Sequence, residues 1–418
     1  MPPDARTLLV ISGGREAVPV VLEAKRMGLR VLVSDGAHDA PGFRYADAGL
    51  LASTYDREAT VEAARAYASA NRIDGVIAAA ADVPMTVAAV AHALGLPGIA
   101  VETAELASDK LAMKDAFVRA GVPVPWYARV ESVAQLERLQ RAADGLLVVK
   151  PVDSRGARGV VRLLPGIDAA WAFAVAEAES PTGRVMVERF VEGPQVSTES
   201  VVVGGRTTTI GFSDRNYELL DRFAPYVIEN GGELPTVLPP ATVEAVHGLV
   251  ARAAAALGVT HGTVKGDVVV GPDGPMVIEM AVRLSGGYLC THEIPLATGV
   301  NFVEAAIRLA LGEKPDPAAL VPRWSKGVVQ RFVFPPPGTV VAIQGQDEAA
   351  RGDGVALLEV RVRPGDRIRP MTSHVRRAGL VIAVGDTRDE ALRRATAAAA
   401  RVRIVTAPVL AASTATLH

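Results

Sequence analysis

The stretch from Thr263 to Gly287, TVKGDVVVGPDGPMVIEMAVRLSGG, constrains the fold of this chain more than any other. Two alternating apolar runs, Val264 to Val270 and Pro275 to Arg283, flank Gly271-Pro272-Asp273-Gly274, which suits a type I turn followed by a glycine at positive φ. The stretch is predicted to be a tight β-hairpin. With Pro272, Asp273 and Gly274 as a three-residue loop, Gly271 pairs with Pro275, and counting outward sets Asp267 directly across from Glu279. Side chains alternate across a strand, so Lys265 and Arg283 point to that same face. Carboxylates placed opposite each other in a sheet repel, and a cation is needed to hold them there. Mg²⁺, with Mn²⁺ as a substitute, suits such a pair, because it takes one or two carboxylates together with the phosphates of a nucleotide. The same residues also suit an ordinary edge hairpin whose charges form solvated ion pairs.

At 418 residues, 49% of them apolar, the chain has material for about two or three packed domains. Its 44 basic and 46 acidic residues nearly cancel, and no basic run with interleaved aromatics occurs, which argues against a nucleic-acid partner. The single cysteine, Cys290, excludes an internal disulfide and a cysteine-based zinc cluster, and is expected to be a packing residue rather than a nucleophile. The Ala-rich stretch from Gly75 to Val101 is interrupted by Asp82, Pro84, His92 and Pro97, so no membrane span or signal peptide is read, and the expectation is a soluble, cytoplasmic protein.

Short apolar runs at Thr7 to Ser12, Arg30 to Ser34, Gly75 to Ala79 and Gly98 to Val101 are predicted strands. They alternate with predicted helices at about Glu16 to Met27, Arg57 to Ala70 and Val83 to Leu94, which implies a parallel sheet in an α/β domain. Ser12-Gly13-Gly14 lies where a dinucleotide loop would, yet the G-x-G-x-x-G spacing is missing and the glycines also suit a plain strand-to-helix turn. Ser108 is the expected N-cap of a helix from Asp109 to Ala120, with Lys110 and Lys114 one turn apart. The strand Leu146 to Pro151 carries Lys150 and leads through Asp153-Ser154-Arg155-Gly156-Ala157-Arg158-Gly159 into a strand at Val160 to Leu164. Backbone amides of such a Gly-rich flap can wrap phosphate oxygens while the lysine supplies a point charge. Arg184 to Phe190 is a further strand that breaks at Val191-Glu192-Gly193-Pro194, before a run from Val196 to Val203 that carries Glu199.

These pieces, in this order, resemble the ATP-grasp enzymes over nearly the whole chain. The resemblance implies a mixed α/β and α+β architecture: a Rossmann-like pre-ATP-grasp domain at 1–105, an ATP-grasp domain at 106–330 with a flap subdomain at about 125–200, a small β-rich C-terminal domain at 331–406, and a frayed tail at 407–418. It implies that Lys110 and Lys150 contact the phosphates of ATP, and that Ser154, Gly156 and Gly159 close over them. Glu188, Arg189, Phe190 and Val191 would hold adenine, and Glu199 would help fix the nucleotide or its metals. Asp267 and Glu279 would bind Mg²⁺, and Arg283 would stabilise the phosphoryl group in flight. Ala281 stands where relatives usually have a metal-binding asparagine, and Gln195 where many have a glutamate, which weakens the case for a second metal and for a ribose contact.

Beyond the hairpin, Ser285, Gly286 and Gly287, followed by THEIPLATG from Thr291, resemble the acceptor-side loop of the branch containing biotin carboxylase and the L-amino-acid ligases. Phe212 to Pro235 resembles the acceptor-lining segment, where Tyr226 would wall the pocket and Glu229 would meet an ammonium, although the same residues also suit packing alone; outside that segment, His292 suits either a base for the amine or a structural histidine. The implied partners are a small carboxylate and an amine, with a homodimer as a common assembly among similar proteins. The rivals are a carboxylase that activates bicarbonate, a nucleotide-binding regulator without turnover, and a nicotinamide oxidoreductase suggested by Gly13-Gly14.

Overall fold

The computed structural model describes residues 5–408; of the tail expected at 407–418, Ala407 instead ends a strand, and the residues from 409 onward lie outside the described ones. The chain divides into two compact units, Met1–Glu131 with Met186–Asp214 and Thr236–Ser325, and Ser132–Val185 with Arg215–Pro235 and Lys326–His418.

In the first unit, four strands form a parallel sheet in the order Ala48–Leu51, Arg30–Asp35, Thr7–Ile11, Gly75–Ala78. Thr7–Ile11 is buried along its whole length, as expected of a parallel strand covered on both faces. The expected strand at Gly98 to Val101 is not formed. Helix Pro84–Leu94 ends on Gly95 in the left-handed region, and Val101 instead opens the helix Val101–Ser108. The fourth strand is Ala48–Leu51, whose alternating burial over only four residues gave too short a period to be recognised. The cap of the next helix is likewise corrected. Asp109, not Ser108, accepts the amides of Leu111 and Ala112 at 2.9 Å, while the Ser108 hydroxyl donates back to Ala104 O.

The antiparallel sheet of this unit runs Gly274–Ala281, His261–Gly271, Gln195–Val203, Arg206–Arg215, and helix Pro240–Ala256 packs its Val246, Leu249, Val250 and Ala253 against it. Asp267 does face Glu279, as the residue count predicts, but by a different route. Gly271 pairs with Gly274, so the loop is Pro272-Asp273 alone, one residue shorter than expected. A β-bulge between Asp267 and Val268, with Ile278 as the extra residue, restores the register.

In the second unit, Leu147–Pro151 pairs antiparallel with Val161–Arg162, and the helices Val133–Ala142 and Ala169–Ala178 accompany them. Its larger antiparallel sheet runs Gly232–Leu234, Gly327–Val333, Gly379–Gly385, Val355–Val360, and helix Arg388–Arg401 packs Ala391 and Ala395 against Val329 and Ala383. A second sheet pairs Gly338–Gln344 with Arg367–Ile368 and with Arg403–Ala407. That last strand had not been expected.

The corner after Phe190 depends on one glycine. Gly193 has φ +144°, and a Cβ there would lie 2.1 Å from Val270 O. Next to it, Pro194 O accepts the Val270 amide at 2.8 Å, which binds the corner to the hairpin. Gly193→Ala is expected to cost about 2–4 kcal/mol through backbone strain and steric conflict, measured as an earlier transition on thermal or urea unfolding.

Candidate active site

The hairpin sets Asp267 and Glu279 on one face, and cations surround them. Asp267 Oδ1 accepts from Ser197 Oγ at 2.6 Å, its Oδ2 meets Lys265 Nζ at 2.5 Å, and Glu279 Oε1 is 3.2 Å from Lys110 Nζ. Lys110 reaches the sheet from the first turn of helix Lys110–Arg119, and one turn later Lys114 is fully buried. Lys114 Nζ lies 2.6 Å from Glu188 Oε2 on strand Val185–Arg189, with Tyr127 at 5.7 Å from ring centroid to ammonium. Glu188 is thus an internal ion-pair partner rather than an exposed strand carboxylate. Arg189 is exposed, its amide bonded to Trp126 O, while Phe190 and Val191 are half-buried on the corner beside the hairpin.

Arg283 lies two residues beyond the end of the hairpin strand Gly274–Ala281. Its Nε faces Asp82 Oδ1 at 3.5 Å and its Nη1 donates to Leu284 O at 3.1 Å. Burial works against its charge, yet Asp82, Glu199, Glu279 and Asp267 hold its pKa above the ordinary value, so it is a permanent cation. Ser285, Gly286 and Gly287 form the turn that follows, with the Ser285 amide on Glu199 and the Gly287 amide on Glu16. Beyond the turn, a π-helical stretch Leu289–Glu293 carries Cys290 and His292. Cys290 is completely buried and burial pushes its thiol up, which leaves it without nucleophilic character. Burial pushes His292 down, so it is neutral near pH 7, with Tyr288 edge-on at 5.0 Å.

Strand Leu147–Pro151 of the second unit carries Lys150, which is buried. The loop after it is drawn tight. Asp153 accepts from Ser180 Oγ and Thr182 Oγ1, Ser154 is buried, and Gly156, Ala157 and Gly159 all have positive φ. Gly156 O accepts the His374 amide at 2.9 Å. Tyr226 stands edge-on to Trp171 at 6.2 Å. Glu229 is ion-paired to Arg215 at 2.8 Å, its amide donates to His374 Nε2, and its carbonyl accepts from Arg377.

No motif in the sequence assigns a role to Lys114, Asp82, Ser197 or Glu16. For Lys114 the signal was present: a lysine four residues after Lys110, between Met113 and Phe117, lies on a helix face otherwise committed to the core.

Three families match in succession: ATP-grasp N-terminal domain at 21–98, ATP-grasp domain at 107–287, and L-amino acid ligase C-terminal domain 2 at 331–407. The chain is also 30% identical over 233 residues to a D-alanine--D-alanine ligase of Gloeobacter violaceus, a match that covers 52% of this chain and 73% of that protein. The chain belongs to the ATP-grasp family.

It is an ATP-dependent carbon–nitrogen ligase by this kinship, and ATP with Mg²⁺ is the cofactor pair of the family. The uncharacterized protein y4rH of Sinorhizobium fredii is 29% identical over 324 residues, which are 76% of this chain, and the chain spans 65% of the length of that relative. In fold, it is similar to the crystal structure of the L-amino acid ligase from Bacillus licheniformis, with TM-score 0.81 and 23% identity over 96% of this chain and 99% of that one. The mixed ATP-grasp architecture expected from the sequence is thereby established.

The donor set fits Mg²⁺. Asp267 and Glu279 offer hard carboxylate oxygens on one face, and among the described residues no group of three or more His, Cys, Asp or Glu side chains makes an all-protein cage. Two carboxylates suit an ion that completes its shell with phosphate and water.

Two predictions follow from the buried charges. Lys114→Met alone leaves Glu188 uncompensated and is expected to cost about 3–5 kcal/mol, whereas adding Glu188→Leu recovers most of it, by comparison of unfolding midpoints. Burial pushes Glu199 up to about 7 from its ordinary 4.5. The folded chain therefore keeps this proton to higher pH than the unfolded chain, and stability is lost as pH rises from 4.5 through about 7, by about 3 kcal/mol at most. Without nucleotide, Glu199→Gln is expected to melt higher than wild type at pH 8, by a margin that shrinks towards pH 5.

Proposed function

We propose that this ATP-grasp ligase activates a small carboxylate by phosphorylation and joins it to the amino group of a second substrate, as in the ligation of amino acids. The observation that carries the reading is the carboxylate pair Asp267 and Glu279, with Arg283 two residues beyond the strand that carries Glu279. A carboxylate is a poor electrophile at neutral pH, and a phosphoryl group supplies the missing leaving group. One oxygen of the acid attacks the γ-phosphorus, the bond to the bridging oxygen breaks, and ADP departs. The amine nitrogen then attacks the acyl carbon and expels phosphate, leaving an amide.

The chain's part in this is positioning and charge neutralisation. Mg²⁺ bound to Asp267 and Glu279 would neutralise phosphate charge. Lys110 and Lys150 would hold phosphate oxygens, and Arg283, kept charged by Asp82, would face the transferred group. The loop residues Ser154, Gly156 and Gly159 would lay amides along the phosphates, and the segment Glu188 to Val191 would receive adenine. His292, neutral near pH 7, is able to take the proton from the incoming amine. Ser285, Gly286, Gly287 and Tyr226 would line the substrates. Glu229 is already neutralised by Arg215, which supports a role in shaping that wall over direct capture of an ammonium.

An ADP-release screen of amino acids and small carboxylates, with formate and bicarbonate included and hydroxylamine as the trap, tests the reading. Hydroxamate from one amino acid or small carboxylate is the expected result; turnover with bicarbonate alone would make the chain a carboxylase. Glu279→Ala and Arg283→Ala are each expected to lower turnover by more than about 100-fold while leaving the circular-dichroism spectrum unchanged. Wild-type rates in either variant would refute the assignment.

A further inference from the structure

The surroundings of Glu199 differ from those of the other residues that the family resemblance assigns to the nucleotide. Its carboxylate is completely buried on strand Gln195–Val203. Oε1 accepts the Ser285 amide at 3.1 Å, and no hydrogen bond reaches Oε2. The cations that act on it are Arg283 and Lys265.

Ser285 is fixed from a second side. Cys290 N–H donates to Ser285 Oγ at 3.2 Å, and its Sγ–H to Ser285 O at 3.3 Å. Just before it, Leu284 O accepts both from Arg283 Nη1 at 3.1 Å and from the Ala80 amide at 3.3 Å. Just after it, Glu16 takes the Gly287 amide at 2.7 Å. The turn that begins with Arg283 is therefore clamped by two carboxylates, one on each side of Gly286.

A neutral glutamine would satisfy the Ser285 amide equally well and would avoid the cost of burying a charge. What a carboxylate adds is its pull on the nearby guanidinium. Arg283 Nε makes no hydrogen bond and lies 3.5 Å from Asp82, so hydrogen bonding alone does not fix that end of the group. We propose that Glu199 is a positioning residue. Through the Ser285 amide it fixes the acceptor-side turn, through its charge it steadies Arg283, and it does not touch the nucleotide. The inference rests on the reading that Arg283 acts on the transferred phosphoryl group.

The full chain and its Glu199→Ala and Glu199→Gln variants test it by three measurements at pH 8, where Glu199 is ionised: hydrogen exchange at the Ser285 to Gly287 amides without nucleotide, Mg-ADP affinity by calorimetry, and kcat with KM for ATP. For Glu199→Ala we expect faster exchange at those amides and a kcat lower by about 10- to 100-fold, with Mg-ADP affinity and KM for ATP within about twofold of wild type. Glu199→Gln is expected to regain the amide protection and only part of kcat, because it restores the acceptor without the charge. Mg-ADP affinity that falls in step with kcat would make Glu199 a nucleotide ligand and overturn the proposal. Unchanged exchange, or unchanged kcat, in Glu199→Ala would overturn it as well. Should the wild-type chain release no ADP with any acid, the proposed function fails, and the exchange data alone still decide whether the clamp exists.

Discussion

The repulsion between Asp267 and Glu279 is the constraint on which the first unit depends. Two carboxylates across a strand pair oppose sheet formation by about 0.2–1 kcal/mol, a small sum, yet it has to be offset wherever the pair is kept. The chain offsets it with Lys265 from the same strand and with groups from elements distant in sequence: Ser197 from the neighbouring strand and Lys110 from a helix more than a hundred residues earlier. The contacts of Ser197 and Lys110 also fix their elements relative to the hairpin. The charge that makes the hairpin suitable for a metal therefore also organises the elements around it.

The hairpin register was legible in the sequence for a partly accidental reason. Counting from a three-residue loop gives Asp267 opposite Glu279, while the chain reaches that pairing with a two-residue loop and a bulge at Ile278. The two departures cancel, since each moves the register by one residue. Turn residues and alternation carry no sign of where a bulge falls, because that depends on the twist of the neighbouring strand. The missed strand Ala48–Leu51 and the mistaken one at Gly98 to Val101 have a common cause. Over four residues, apolar spacing cannot distinguish a strand edge from the first turn of a helix.

Candidate residues were legible where a role belongs to one local segment, and illegible where it is assembled from afar. Lys110 and Lys150 announce themselves by their place on a helix start and a strand end. Glu229 does not: its charge is met by Arg215 and its backbone by His374 and Arg377, so its neighbours span 162 positions of the chain. Nearby, Glu233 is bonded by Arg331 and Arg388, and they hold its carboxylate below the ordinary range against the opposing effect of burial. No spacing rule connects such positions, because they meet only after the sheet of the second unit has formed.

Buried charge links stability to chemistry in this chain. Lys114 with Glu188 and Glu199 near Arg283 are arrangements whose desolvation cost a packed apolar pair or a neutral side chain would avoid. A packed apolar pair would fill the same volume, but it would tolerate small displacements of helix Lys110–Arg119 against the sheet. A charged pair at 2.6 Å in a medium of low dielectric penalises such movement steeply, because the attraction lost on separation is not replaced by water. Glu199 ties its strand to the turn beside Arg283 through the bond from the Ser285 amide to Oε1, at the cost of a buried Oε2 that no hydrogen bond reaches. Phosphoryl transfer requires donors fixed to within fractions of an ångström, since little covalent chemistry falls to the protein. A fold whose chemistry is positional has reason to keep charges inside it that a fold built only for stability would exclude.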